Sequence, residues 1–345
     1  MNMRAAVMHD ARDMRVEEVD IARSKAGTAV IKVVSSGVCG SDLHWYSARP
    51  YADPTVLGHE VSGEVVEVGE GAGNLSPGDR VCVDLTRDHA CGNCPICLTG
   101  QFFHCPNKDR VPWGGGFAEY MEVQGLGLDP LPDALSYEDG AMVEPVAVGV
   151  HACRYGGLKP GDTVLVLGAG TIGLLSLAVA KAFGAGAVYI VAKYDVQADM
   201  AERMGADGVI RLEGRNLPEQ VKEVAGDRQI DVVIETVGGS APSVDQSVSV
   251  VKPKGKVIVT GVFPDPVPVN LGSALGKEVK FIFAVCYSAV DGRHDYDIAL
   301  DLIVSGKVRP RELVTHRFKL EHTPDAFETA LDKKTGSVKV MVNTL

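Results

Sequence analysis

The stretch "TVLVLGAGTIGLLSLAVAKAFG", Thr163 to Gly184, constrains the fold of this chain more than any other. An unbroken apolar run, a glycine-rich turn and an apolar segment of helical length follow one another, which predicts strand, tight turn and helix. The alternation continues with strand "AVYIVA", helix "VQADMAERMG", strand "DGVIRL", helix "LPEQVKEVAG", strand "DVVIET", helix "APSVDQSVSVVK" and strand "KVIVTG". Strands and helices alternating at these lengths give an α/β domain with a doubly wound parallel sheet. In "GAGTIG", Gly168 permits the turn, Gly170 lets backbone approach a pyrophosphate, and Gly173 lets the helix pack on the sheet. Thr171 and Ile172 complete the turn, at a helix N-terminus whose positive end suits phosphate. A plain strand–turn–helix is the alternative, and a lone motif of this kind is weak evidence.

The first ~150 residues differ in texture. Short alternating runs such as "EVSGEVVEVGEG", rich in Val and Gly, predict a β-rich barrel or sandwich domain. After Val279–Val285 the pattern weakens to helix-like "YDIALDLIVSG", then strand-like "ELVTHRFKL" and "SVKVMVNTL". The tail is expected to return to the N-terminal domain, giving a discontinuous domain of residues 1–150 with 287–345 around a nucleotide-binding domain of 151–286. A net charge of −11 disfavours nucleic acid as a partner. No apolar run reaches the ~20 residues a bilayer requires, and the start lacks the apolar core of a signal peptide, so a cytoplasmic protein without membrane contact is expected.

Four of the eight cysteines crowd into "CGNCPICLTGQFFHC" as Cys91, Cys94, Cys97 and Cys105. In a reducing compartment such crowding indicates metal rather than disulfides. Four thiolates about 2.3 Å from a zinc ion leave no open position, so this would be a structural site. Free thiols and an iron–sulfur cluster are the alternatives. Three other segments hold zinc-type ligands: Cys39 in "GVCGSDLHW", His59 in "LGHEVSGEVVEVG" and Glu144 in "MVEPVAVGVH". Singly, each also reads as a buried thiol, a core histidine or a helix-start acid.

Together these segments resemble the zinc-dependent medium-chain dehydrogenase/reductase family, in its sorbitol (polyol) dehydrogenase branch, with butanediol and threonine dehydrogenases as cousins. The resemblance runs through "CGSDLH", "GHEVSGEVVEVGEG", the four-cysteine segment and "VEPVAVGVHA". It implies a GroES-like catalytic domain, a Rossmann domain and an active site in the cleft between them. It implies one structural zinc and one catalytic zinc on Cys39, His59 and Glu144, the ion acting as a Lewis acid on an alcohol. Ser41 would take the alcohol proton and His44 would pass it to solvent. Glu60, beside His59, would touch the zinc through water or exchange with it. Thr236, Val237, Gly261 and Val262 would lie beside the nicotinamide. A homo-oligomer, dimer or tetramer, is expected by the same analogy.

The chain departs from the polyol branch where an Arg–Tyr pair helps hold substrate hydroxyls, for Ala284 and Val285 stand at those places. Trp45 replaces a tyrosine, and Phe117 keeps a pocket aromatic. A pocket without polar partners selects polyhydroxylated substrates poorly, so a less polar secondary alcohol or ketone, or a short diol, is expected alongside polyols. Nicotinamide enzymes using NAD place an acid roughly 20 residues beyond the glycine motif to hold the ribose 2′-OH. Here Ala192 and then Lys193 occupy that place, a pattern similar to the NADP-using ketose reductases of this branch. NADP(H) is therefore expected ahead of NAD(H), with Asp195 as the alternative ribose partner. A non-catalytic zinc-binding relative and an NAD-linked threonine or butanediol dehydrogenase are the competing readings.

Overall fold

Thr163–Leu167 forms a strand buried at every position, as its unbroken apolar run requires. It sits inside a six-stranded sheet ordered Gly208–Arg211, Ala187–Ala192, Thr163–Leu167, Ile230–Glu235, Val251–Val259, Lys280–Phe283, with all pairs parallel. In chain order these are strands three, two, one, four, five and six, so the winding reverses at the first strand, where dinucleotides bind. Leu165, Tyr189, Val191, Val233 and Val257 share one buried cluster. The computed structural model describes residues 2–48, 54–108, 114–212 and 214–344.

The N-terminal unit is β-rich. Thr28–Gly37 pairs with Glu60–Val68 on one side and, at its two ends, with Tyr120–Gln124 and Lys339–Asn343 on the other. The tail strand Lys339–Asn343 aligns Met341 with Gly37 and Asn343 with Ser35. It also pairs in parallel with Val314–Lys319. The end of the chain therefore supplies an interior strand, four of whose five residues are buried. Among the described residues no helix is long and apolar enough to cross a membrane.

The chain divides into one unit of Met1–Glu144 with Arg309–Leu345 and another of Pro145–Val308. The sequence reading draws these limits at 150 and 287 instead. The later return has a local cause. Asp295 opens the helix Asp295–Val304, and its buried carboxylate lies 2.7 Å from His151 Nδ1 and 2.5 Å from Arg154. Those charged partners keep the helix with the nucleotide-binding unit, where leaving them would strand a buried acid.

Candidate functional site

The four cysteines converge: their sulfurs all lie within 4.8 Å of one another. Cys94 and Cys97 are 3.5 Å apart, Cys91 and Cys105 3.6 Å, and Cys91 and Cys97 3.9 Å. A tetrahedron of thiolates about 2.3 Å from one ion has edges of ~3.8 Å, so the spacing fits zinc. A disulfide would bring sulfurs to about 2.05 Å, and all eight cysteines are free. The backbone supports anionic sulfur. Cys97 N–H donates to Cys94 Sγ, and Cys91 N–H donates to Cys105 Sγ, each at 3.4 Å. The Asn93 backbone and the Asn107 side chain lower the Cys91 thiol to about 6, whereas burial pushes Cys97 up to about 12.

A second cluster forms in the same unit. Cys39 follows the strand Thr28–Gly37, and His59 immediately precedes the strand Glu60–Val68. Gly58 makes the turn before His59 at φ 98°, and a Cβ there would lie 2.9 Å from the Phe117 ring. Donor atoms of Cys39, His59 and Glu60 lie within 4.8 Å of one another. His59 Nδ1 lies 3.3 Å from the Asp42 carboxylate, leaving Nε2 to face Ser41 Oγ at 3.5 Å. Asp42 also accepts the Cys39 N–H at 2.9 Å, so one buried carboxylate orients two donors. Ser41, His44 and Trp45 share the helix Gly40–Ala48. His44 is exposed one turn beyond Ser41, and the Trp45 ring meets His59 edge-on at 6.3 Å.

Glu144, expected as the third ligand, opens the helix Val143–Tyr155 outside that close group. Glu60 stands there instead, because it directly follows His59 and is ion-paired to Lys339. Glu144 is nonetheless part of the surroundings. Burial chiefly, with Glu60 and Asp84, raises its carboxyl to about 7 against the pull of His59 and Lys339. Burial opposes charge on His59, but Asp42 and Cys39 outweigh it and hold the ring well above its usual range. A thiol, an imidazole and a carboxylate whose donor atoms lie within 4.8 Å of one another are a set that suits a divalent cation. Phe117 is fully buried in the core, with its ring 5.3 Å from Phe327. Of the remaining pocket candidates, Ala284 is buried and Val285 exposed just beyond Lys280–Phe283.

In the second unit the three glycines of the turn differ in their surroundings. Gly168 has φ 98°, and a Cβ on Gly173 would fall 1.9 Å from the Gly168 carbonyl oxygen. Nothing lies within 4 Å of a Cβ built on Gly170, so backbone there is open to a ligand. The helix Thr171–Ala182 begins without a side-chain cap, with Thr171 and Ile172 half-buried in its first turn. Ala192 is buried at its strand end, and the exposed Lys193 lies 5.6 Å over the Tyr194 ring. Thr236 Oγ1 donates to Leu167 O at 2.8 Å, and Val237, Gly261 and Val262 follow the neighbouring strand ends.

The signature of the alcohol dehydrogenase GroES-like domain matches residues 25–133, and that of the zinc-binding dehydrogenases matches residues 171–305. The sorbitol dehydrogenase of Bacillus subtilis (strain 168) is 33% identical, over 99% of this chain and 97% of its own. The structure of 2R,3R-butanediol dehydrogenase from Bacillus subtilis superposes with a TM-score of 0.84 at 30% identity, covering 99% of this chain and 100% of that one. A zinc-binding dehydrogenase from Sinorhizobium meliloti 1021 bound to NADP superposes with a TM-score of 0.87 at 30% identity, covering 99% of both chains. The chain belongs to the zinc-dependent medium-chain dehydrogenase/reductase family, in its sorbitol dehydrogenase-like branch. This medium-chain dehydrogenase is a zinc-dependent, NAD(P)-linked oxidoreductase of the alcohol and polyol class.

Three residues of this dehydrogenase escape the sequence reading. Asp42 was detectable, since a metal-ligating histidine usually gives its second nitrogen to a carboxylate and "CGSDLH" offers one. Lys339 is 1% exposed, and besides pairing with Glu60 it donates to Val38 O at 3.1 Å. Its only signal is a lysine inside the otherwise apolar "VKVMV". Arg211 stands directly opposite Ala192 in the parallel pairing and reaches Asp195 at 2.5 Å and Asp199 at 3.3 Å. Strand register, not sequence proximity, brings it there.

Proposed function

We propose that this dehydrogenase interconverts a secondary alcohol and its ketone with NADP(H), the substrate being a short diol, a polyol or a less polar secondary alcohol. The observation that carries the reading is the group Cys39, His59 and Glu60 with Ser41 Oγ 3.5 Å from His59 Nε2. Cys39 and His59 would hold a catalytic zinc, with Glu60 or Glu144 as the acid that completes the shell. Bound there, the ion supplies Lewis acidity that lowers the pKa of an alcohol oxygen. Ser41 Oγ then takes the alcohol proton, and the exposed His44 carries it towards water. Cys91, Cys94, Cys97 and Cys105 would hold a second, structural zinc.

Ala284 and Val285 offer no polar side chain to a polyol, which favours less hydroxylated substrates. For the cofactor, Ala192 lacks the carboxylate that would repel a 2′-phosphate, and the exposed Lys193 puts a cation directly after that strand end. Asp195, the alternative ribose partner, is engaged by Arg211. An oligomer is supported by Leu271, Leu275 and Phe283, which are 71–80% exposed near the sheet's edge strand.

A panel of secondary alcohols, diols and polyols, run with NADP and with NAD in wild type and Ala192→Asp, tests the reading. Turnover is expected, with kcat/KM favouring NADP and Ala192→Asp moving the cofactor ratio towards NAD by about tenfold or more, ~1.4 kcal/mol. Zinc-loaded protein inert to every alcohol and ketone would make it a non-catalytic relative. Preference for NAD in both proteins would make Lys193 a surface charge.

A further inference from the structure

Ala192 and Arg211 end the strands Ala187–Ala192 and Gly208–Arg211 to one side of the glycine turn, and Lys193 follows Ala192 directly. A dinucleotide anchored there by its adenosine end extends its other half over the opposite strand ends, those of Ile230–Glu235 and Val251–Val259. Two loops begin at those ends, 236–239 and 260–262. They display Val237, 50% exposed, and Val262, 73% exposed. Two apolar side chains held in solvent at a crevice suit one flat face of a nicotinamide ring.

Behind both loops stands Glu235, which is fully buried. Its Oε1 accepts three hydrogen bonds: from Val237 N–H at 2.8 Å, Gly238 N–H at 2.9 Å and Ser243 Oγ at 2.7 Å. Its backbone oxygen accepts three more, from Thr260 N–H at 2.9 Å, Gly261 N–H at 3.2 Å and Thr260 Oγ1 at 2.7 Å. A cross-link joins the loops themselves, Gly239 N–H to Val262 O at 2.7 Å. The fit is close on every side. A Cβ on Gly261 would lie 2.4 Å from Glu235 Oε2, one on Gly238 2.6 Å from Val262 O, and one on Gly168 2.9 Å from Val237 Cγ2.

We propose that Glu235 is the positioning residue that locks these two loops into the surface receiving the nicotinamide half of the cofactor. It touches neither cofactor nor substrate. Its carboxylate holds the first loop and the start of the helix Ser243–Val250, and its carbonyl holds the second. Val237 and Val262 are thereby preorganised, so binding need not order them. The inference rests on the cofactor reading above.

The test compares a whole cofactor with its adenosine half. Affinities for NADPH or NADH, whichever wild type binds better, are measured by protein fluorescence, and those for 2′,5′-ADP or AMP by competition. Glu235→Ala is expected to weaken the whole cofactor about tenfold or more, ~1.4 kcal/mol, and the half-molecule less than about twofold. Glu235→Gln keeps an acceptor towards the three donors and is expected to restore affinity to within about threefold of wild type. If Glu235→Ala does not fold, Thr260→Val removes one carbonyl contact and is expected to give a smaller loss with the same selectivity. Equal weakening of whole and half, or no weakening of either, overturns the inference. Wild-type protein that binds neither NADPH nor NADH overturns the cofactor reading, and this inference with it.

Discussion

The two metal-type clusters are built in opposite ways. The four-cysteine lobe draws every donor from fifteen consecutive residues, and its own backbone N–H groups support the sulfurs. The Cys39–His59 cluster draws donors from separate segments and depends on Asp42 to aim them and on Lys339, from the far end of the chain, to hold Glu60. A local, saturated shell would serve folding, because four donors leave an ion no vacant position. A shell with three donors would serve chemistry, because an ion held there keeps one position open. The price of openness is a buried surplus of negative charge, expressed in Glu144, whose carboxyl is raised to about 7, mainly by burial.

The comparison breaks most sharply at Cys39. Cys39→Ser is expected to cut turnover at least about a thousandfold, since Lewis acidity contributes several kcal/mol, while the fold and the four-cysteine ion persist. Retained turnover would remove Cys39 from the shell.

Lys339→Met comes next. It leaves buried Glu60 without its cation, and a stability loss of about 3–5 kcal/mol is expected by urea unfolding. Adding Glu60→Gln should recover most of that loss. A double variant no more stable than Lys339→Met would show that the lysine acts through packing alone.

Cys97→Ser probes the other cluster. A structural zinc there would contribute folding energy outright, so a loss of about 3 kcal/mol is expected, lowering Tm by roughly 6–12 °C, with activity per folded molecule kept. A variant of unchanged Tm that lacks only activity would contradict the structural role.

The smallest effect concerns how the tail that carries Lys339 is fastened. Arg317 donates to Glu138 at 2.7 and 2.9 Å. That bond first, joined by Asn343 and opposed by burial, holds the Glu138 carboxyl below its usual range. A carboxyl lowered in the fold stabilises above its unfolded pKa, and that contribution disappears as pH falls through the folded value. Glu138→Gln is expected to cost about 0.5–1 kcal/mol at pH 7 and nothing in strong acid, because Arg317 is half exposed. A Tm difference that does not shrink between pH 7 and pH 3 would exclude the pair.

What sequence reveals of this molecule follows the same local–distant division. The glycine turn is readable because each glycine answers a constraint within a few residues, down to Gly173 packing against Gly168 O. The four-cysteine lobe is readable for the same reason. Lys339 is not, because it meets Val38 across 301 residues through a strand pairing that no periodicity encodes. Arg211 needs the register opposite Ala192, and the exchange of Glu144 for Glu60 in the close group needs coordinates. The return at Arg309 is not legible because a helix can pack with either unit until a neighbour, here His151, decides.

X-ray absorption at the zinc edge, with metal counting, tests the open-and-closed account most directly. Wild type is expected to hold about two zinc ions per chain with an average of about 2.5 sulfur donors each, and Cys39→Ser about one ion with about four sulfurs. A wild type with one zinc in an all-sulfur shell, or a Cys39→Ser protein with the wild-type spectrum, would contradict it.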